Sequence, residues 1–262
     1  MIETKKAFDA KEHKDKIVEW IRDWFVANGP NCKAIVGISG GKDSTIVAGL
    51  CVEALGKDRV VGVLMPNGYQ SDLEDAIRVC YALDIKHTIQ PITAAYNAII
   101  SGMENPAYGG ISNLDPSEQA RINLAPRLRM AMLYAISQTV GGRVACTDNL
   151  SEAYIGYSTR WGDNVGDFAP IVNYTVSEVV AIGDELGLPQ DLVHKTPSDG
   201  LCGMTDEDNF GFTYEQLDSF IRTGDSGDEE VDKLIWDKHV RNYFKAIHLP
   251  HPYSDLGAHG WV

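Results

Sequence analysis

Apolar residues recur at three- and four-residue spacing through residues 11–27, where Ile17, Trp20, Ile21, Trp24 and Phe25 share one stripe. That period predicts an amphipathic helix lying against the core, ended by Asn28, Gly29 and Pro30. The pattern then changes to short unbroken apolar runs. Residues 34–38 and 59–65 read as buried strands and residues 86–90 as a shorter third, with helical periodicity over 45–55 and 70–83 between them. Ser71 and Asp72 supply a start signal for the second of these helices. Strands and helices alternating at these distances predict an α/β fold: a doubly wound parallel sheet, Rossmann-like, with right-handed crossovers and helices on both faces.

Beyond Pro91 the helical period resumes to about Ile100, and residues 102–116, rich in Gly, Asn and Pro, read as a surface loop. Residues 117–140 predict a long helix with Ile122, Leu128, Met132, Leu133 and Ile136 buried and a kink at Pro126. Gly141 and Gly142 stop it, and residues 143–147 form a fourth strand. Because winding reverses on the way to this strand, its carboxyl end is expected beside the first strand, in the crevice where such sheets take ligands. Residues 157–163 and 167–170 are polar and aromatic without a period. Thr175 or Ser177, with Glu178, starts a helix over 175–186; residues 195–208 read as a long loop suited to a lid. Helices are expected over 213–220 and 228–247, and a tail, 251–262, docked through Trp261.

The first strand runs into Ser39-Gly40-Gly41-Lys42-Asp43-Ser44 and then a helix. A helix start behind a glycine turn presents unpaired N–H groups and a positive dipole end, so an oxyanion can dock there without many basic side chains. The spacing is not that of a Walker A loop: only three residues separate Gly37 from Gly41, and Asp43 stands where a magnesium-binding hydroxyl belongs. The hexapeptide instead resembles the pyrophosphate loop of the N-type ATP pyrophosphatases, which split ATP into AMP and pyrophosphate while adenylating an acceptor oxygen. The fourth strand empties into Thr147-Asp148-Asn149-Leu150-Ser151-Glu152, which brings a second carboxylate towards Asp43. Two acids facing a triphosphate call for a hard divalent cation between them, magnesium held by carboxylates and phosphate oxygens. A plainer reading has Asp148 or Ser151 capping a helix whose acidic first turn contains Glu152.

With 262 residues the chain is long enough for one sizeable core, and a single domain over 1–262 is expected. No apolar run reaches membrane-spanning length and no basic, apolar leader opens the chain, so the expected location is the cytoplasm, without a membrane partner. Five scattered cysteines without a C-x-x-C pair argue against a disulfide framework and a zinc site. A formal net charge of −14 argues against nucleic acid, whose binding rests on Lys and Arg neutralising phosphates. A nucleotide must then be held by backbone amides, a metal ion and a few placed cations.

Several motifs align in order: the phosphate loop; Asn123-Leu-Ala-Pro-Arg127-Leu-Arg129-Met; Thr147 to Glu152; Gly156-Tyr-Ser-Thr-Arg160-Trp-Gly-Asp163; Pro197-Ser198-Asp; and Thr205-Asp-Glu followed by Phe212 to Asp218. Together, over about residues 15–250, they resemble the ammonia-dependent NAD synthetases. The resemblance implies the adenine nucleotide α-hydrolase-like variant of the fold and a two-step reaction with ATP and Mg2+. The nicotinate carboxylate of deamido-NAD attacks the α-phosphorus of ATP and pyrophosphate leaves; ammonia then displaces AMP. It further implies that Asp43 and Glu152 are the catalytic metal ligands. The ATP site would comprise Gly37, Ile38, Ser39, Gly40, Gly41, Lys42, Asp43 and Ser44, with Gln70 and Thr147 at the nucleoside and Ser198 at the phosphates or metal. Arg127, Arg160, Asp167 and His248 would contact the dinucleotide, Arg127 and Asp167 from across a homodimer interface. Three family cations are replaced, by Leu64, Val176 and Leu249, which opens the reading that a different carboxylate acceptor is used, with Lys42 or Lys195 restoring charge. Other readings are a pyrophosphatase acting on a tRNA base, disfavoured by the acidic charge, and a nucleotide-binding module without chemistry. The short stretch ahead of the phosphate loop leaves no room for a glutamine amidase, so ammonium, or ammonia from a separate protein, is the expected nitrogen source.

Overall fold

The computed structural model describes residues 8–70, 72–104, 114–195 and 206–245. Helix α1 (Ala10–Asn28) is capped by the Asp9 carboxylate, which accepts from the Glu12 amide, and buries Ile17, Val18, Ile21 and Phe25. Strand β1 (Lys33–Gly37) leads to α2 (Lys42–Leu55), β2 (Val60–Leu64), α3 (Leu73–Ala82) and β3 (Lys86–Ile89). Then come α4 (Thr93–Glu104), α5 (Glu118–Val140), β4 (Gly142–Val144) and α6 (Leu150–Ile155). Five further helices follow: α7 (Val176–Asp184), α8 (Gln190–Val193), α9 (Asp206–Phe210), α10 (Tyr214–Thr223) and α11 (Glu229–Asn242).

The four strands are parallel in the order β3-β2-β1-β4, with Ile35 level with Val61 on one side and Val144 on the other. Strand side chains alternate between faces, and here both faces are covered. Ala34, Val36, Val60 and Leu64 pack with α1, α2, α3 and α7; Ile35, Val63 and Met65 pack under α5 with Ile92. A third cluster joins α6, α10 and α11 through Tyr154, Leu217, Phe220 and Ile235. The chain steps outward from β1 to β3 and returns to the other side of β1 as β4. The loops after β1 and β4 therefore diverge over one crevice, as the sequence pattern implies.

Several boundaries differ from the periodicity for local reasons. Helix α2 starts at Lys42, not at residue 45, because the Ser44 and Thr45 hydroxyls both donate to the Gly41 carbonyl (3.1 and 2.8 Å) and draw the end of the loop into the first helical turn. Helix α4 takes in Gly102 from the expected loop, of which residues 105–113 lie outside the described residues. In α5 only Ala125 and Ser137 are fully buried: Leu128, Met132, Leu133 and Ile136 are half-buried and Ile122 is 37% exposed, against the expectation of a buried stripe. Strand β4 is shorter than expected because its continuation pairs with the aperiodic stretch. The Asp167 amide donates to the Val144 carbonyl (2.7 Å), the Cys146 amide to the Phe168 carbonyl (2.8 Å), and Ala145 bridges Phe168 in parallel. Gly166 makes that approach possible, since a Cβ there would lie 2.5 Å from the Cys146 nitrogen. Asp72 stands at the N-cap of α3, yet its carboxylate bonds Lys195 instead of the helix. Ser71, most of the expected lid (196–205) and the tail 251–262 lie outside the described residues. Helices α7, α10 and α11 start within three residues of the expected positions, α7 with Glu178 accepting from the Thr175 amide at 2.9 Å.

Candidate active site

The turn between β1 and α2 is held by its own serines. The Gly41 amide donates to Ser39 Oγ (3.1 Å), and Ser39 Oγ lies 3.1 Å from Ser44 Oγ. Gly40 has φ +84°, and a Cβ there would meet the Asp72 carbonyl at 2.6 Å, so the tight turn against α3 requires glycine. No side chain caps the start of α2, which leaves its first amides facing the crevice. Beside them opens a cavity of about 350 Å³ whose walls come from every element around the crossover. The phosphate loop gives Ser39, Gly41, Lys42 and Asp43; the ends of β2 and β4 give Leu64, Met65 and Thr147; α5 gives Arg129, α6 Glu152 and α9 Asp206. A smaller space of about 130 Å³ adjoins it, sharing Ser39, Gly41, Asp43, Thr147, Glu152 and Asp163 and adding Ser44 and Asp148.

Carboxylates dominate this crevice. Asp43 reaches it from the first turn of α2, and its two oxygens accept from Lys42 Nζ (2.7 Å) and Asn149 Nδ2 (3.3 Å). Asn149 also caps α6, its Oδ1 accepting from the Glu152 amide at 3.0 Å, so neither Asp148 nor Ser151 is the cap. Ser151 is buried and donates to Asp218. Burial, reinforced by the charge of Asp43, pushes the Glu152 carboxyl up to about 8. Burial and Glu152 hold Asp148 well above the usual carboxylate range, and burial raises Asp163. Asp206 accepts from Tyr157 (3.3 Å) and Tyr214 (3.1 Å). Against these acids stands Lys42, 4% exposed, its ammonium 5.6 Å from the Tyr214 ring centre. Burial pulls its pKa down, but Asp43 and Glu152 outweigh that and hold it above its ordinary value.

The donor set suits a hard cation. Asp43 and Glu152 line both spaces, and a Glu152 carboxyl driven towards protonation by burial and by the charge of Asp43 is short of positive charge. Among the described residues no three acidic, His or Cys side chains form a ready-made cage. Magnesium fits such a site, because it takes one or two carboxylates and completes its shell with phosphate oxygens and water.

Of the expected ATP residues, Gly37, Ile38, Ser39, Gly41, Lys42, Asp43, Gln70 and Thr147 line the larger cavity and Ser44 the smaller. Gly40 supports the turn from behind. Ser198 and His248 lie outside the described residues. The other three residues expected at the dinucleotide line neither space. Arg127 is exposed and donates to the Arg160 carbonyl (3.2 Å); Arg160 stacks on Trp161 and Phe244. Asp167 accepts from the Val144 amide at 2.7 Å and meets Tyr134 at 3.5 Å. Sequence reasoning gave no role to Asp163, Asp206, Tyr214 and Arg129, although all four stand inside quoted motifs, which was the available signal.

Leu64 and Val176 are both buried among apolar side chains, so neither position replaces a lost cation. Lys195 lines the cavity with both Asp72 (2.8 Å) and Asp75 (2.7 Å) on its ammonium.

Comparison with known proteins agrees with this geometry. The NAD synthase family model matches residues 14–248. The NH3-dependent NAD+ synthetase of Pyrococcus horikoshii is 39% identical over 208 residues, 79% of this chain and 77% of that protein. Among solved structures, the NMN synthetase from Francisella tularensis aligns with a TM-score of 0.80 at 33% identity, covering 93% of this chain and 98% of that one. The NH3-dependent NAD synthetase from Campylobacter jejuni, in complex with nitrate, gives 0.74 at 28% identity over 92% and 98%.

Proposed function

Because the chain belongs to the NAD synthase family, we propose that its crevice holds the polyphosphate of ATP on the loop of residues 39–44, with Asp43 and Glu152 as the ligands of a magnesium ion. The enzyme is a ligase that forms a carbon–nitrogen bond, amidating deamido-NAD to NAD with ATP and ammonia. The observation that carries the site assignment is the convergence of an uncapped helix start after β1 and a buried carboxyl after β4 on one cavity at the crossover of the sheet.

The residues divide the work by charge. The first amides of α2 and the Gly41 turn face the departing pyrophosphate, fixed in advance so that no reorganisation is needed as its charge grows. Lys42 supplies a fixed positive charge beside Asp43 where the loop enters the helix. A bound magnesium would neutralise phosphate charge and polarise the α-phosphate. Gln70 and Thr147, in the segments that follow β2 and β4, hold the nucleoside part, and the acceptor carboxylate enters along the wall formed by α5 and residues 162–165. There its oxygen bonds the α-phosphorus as the bond to pyrophosphate breaks. Ammonia nitrogen then bonds the acyl carbon, AMP departs, and the surplus proton passes to a carboxylate or to water.

Arg127, Arg160 and Asp167 act on a neighbouring subunit's substrate in this reading, within a homodimer packed through α4 and α5. Exposed apolar side chains on these two helices support it: Ile99 and Ile122 are exposed by 41% and 37%. The chain acts as one domain in this reading, since residues from the loop after β1 to the start of α9 line the same crevice. Among the described residues no helix is long and apolar enough to cross a membrane, and we place the enzyme in the cytoplasm.

A second reading changes the acceptor to the corresponding mononucleotide. It is favoured by the higher TM-score to the NMN synthetase and by the three expected dinucleotide residues lying off their own subunit's cavity. Incubation with ATP, Mg2+, ammonium and either acceptor decides between them. AMP, pyrophosphate and NAD appearing together is the expected result. Amide product from the mononucleotide at a higher kcat/KM assigns the second reading, and neither AMP nor pyrophosphate with either acceptor refutes both.

A further inference from the structure

Three cationic side chains line the larger cavity: Lys42, Arg129 and Lys195. Two already have carboxylates, Lys42 on Asp43 at 2.7 Å and Lys195 on Asp72 and Asp75 at 2.8 and 2.7 Å. Arg129 has none among the described residues. Its Nε donates to the Met65 carbonyl at 3.0 Å, which fixes the plane of the guanidinium at the carboxyl end of β2 and leaves the two terminal nitrogens for another partner. Burial lowers its pKa, with only the more distant charge of Asp163 opposing. Asp163 itself is engaged elsewhere, its Oδ1 accepting from the Thr159 amide at 2.6 Å.

A guanidinium partly withdrawn from water without a counter-ion is unfavourable unless something else returns the charge. The chain places it on the helix that roofs the ligand cavity, pinned by a backbone carbonyl, two residues from the exposed Arg127. We propose that Arg129 is a substrate-binding residue of the amidation reaction: its fork takes two oxygens of an anionic group, phosphate or carboxylate, brought by a bound substrate. Planar bidentate pairing of this kind suits Arg and not Lys. The oxyanion has two possible sources, ATP and the acceptor, and both enter this cavity in the family reading on which the inference rests.

Arg129→Met and Arg129→Lys, titrated calorimetrically with Mg-ATP alone and with the acceptor alone, test it. Arg129→Met is expected to bind one of the two at least ten-fold more weakly, while its ligand-free Tm stays level or rises because an uncompensated, half-buried charge is gone. Arg129→Lys is expected to recover only part of the loss. Weakening confined to ATP assigns the oxyanion to its phosphates; weakening confined to the acceptor assigns it there. Affinities within two-fold of wild type for both substrates overturn the proposal. So does a lowered ligand-free Tm in both variants, which marks Arg129 as a support for β2. Binding needs no turnover: a wild-type protein that binds ATP through Arg129 yet makes no amide sinks the amidation reading and leaves this one standing.

Discussion

Replacing Glu152 by glutamine should make the ligand-free protein more stable while disabling it. The Glu152 carboxyl is pushed from 4.5 up to about 8, by burial first and by the charge of Asp43 second. In the unfolded chain it ionises near its ordinary value, so between the two values folding must take up a proton. A raised carboxyl of this kind costs nothing below about pH 4; the penalty grows as pH rises and levels off above about 8. At pH 7 the mismatch amounts to about 3 kcal/mol as an upper limit. Glutamine keeps the shape of the protonated acid and carries no charge, so Glu152→Gln should recover most of that and also relieve Asp148, whose own carboxyl is raised by Glu152. In a chain of 262 residues this is a Tm gain of roughly 6 to 12 °C at pH 7. The gain should vanish at pH 4. Differential scanning calorimetry of both proteins without metal, from pH 4 to 9, measures it. A variant less stable than wild type at pH 7, or a gain that does not change with pH, refutes the idea that Glu152 sits in a charge-starved cluster. In the same variant the rise in Tm caused by Mg-ATP should disappear.

Magnesium added to the wild-type protein should raise Tm more at pH 8.5 than at pH 6, because the Glu152 carboxyl, raised to about 8, must shed its proton before it binds metal; a pH-independent shift speaks against Glu152 as a ligand. Lys42→Met should weaken ATP binding about ten-fold, and calorimetry that finds normal affinity removes Lys42 from the phosphate site. Ile122→Asp, at an exposed apolar position of α5, should turn the proposed dimer into a monomer in sedimentation runs, and a persistent dimer moves the interface elsewhere. Asp167→Ala leaves the buried Val144 amide without its acceptor and should cost about 1–3 kcal/mol in thermal unfolding; an unchanged Tm contradicts a structural role for that carboxylate.

The sheet and the phosphate loop were legible because their signals are local. Unbroken apolar runs read as strands covered on both faces, and the glycine turn before α2 follows from backbone freedom at Gly40. The pairing of Asp43 with the α6 region also followed, since reversal of winding places β4 beside β1 whatever the side chains are. What escaped depends on contacts distant in sequence. Asn149 and not Asp148 caps α6, a choice made by which side chain meets Asp43. The stretch 157–170 has no period, yet Asp167 and Phe168 pair with β4, because Gly166 allows a backbone approach that no pattern announces. Ile122 fell on the predicted apolar stripe of α5 yet is 37% exposed: a stripe seen in sequence does not say how far along the helix the sheet reaches. Arg127 and Arg129 look interchangeable in their motif, and only the turn of the helix sends one to the surface and the other to the cavity.

The alignment of residues 166–168 along β4 has a consequence for how the protein behaves when crowded. That rim of the sheet shows no bare row of amides and carbonyls to a passing chain, and the opposite rim, β3, is four residues long and carries Lys86 and His87. Among the described residues, neither rim offers a long flat template for adding a foreign strand, the step that begins fibrillar growth. Association of copies through these two rims of the sheet is therefore disfavoured.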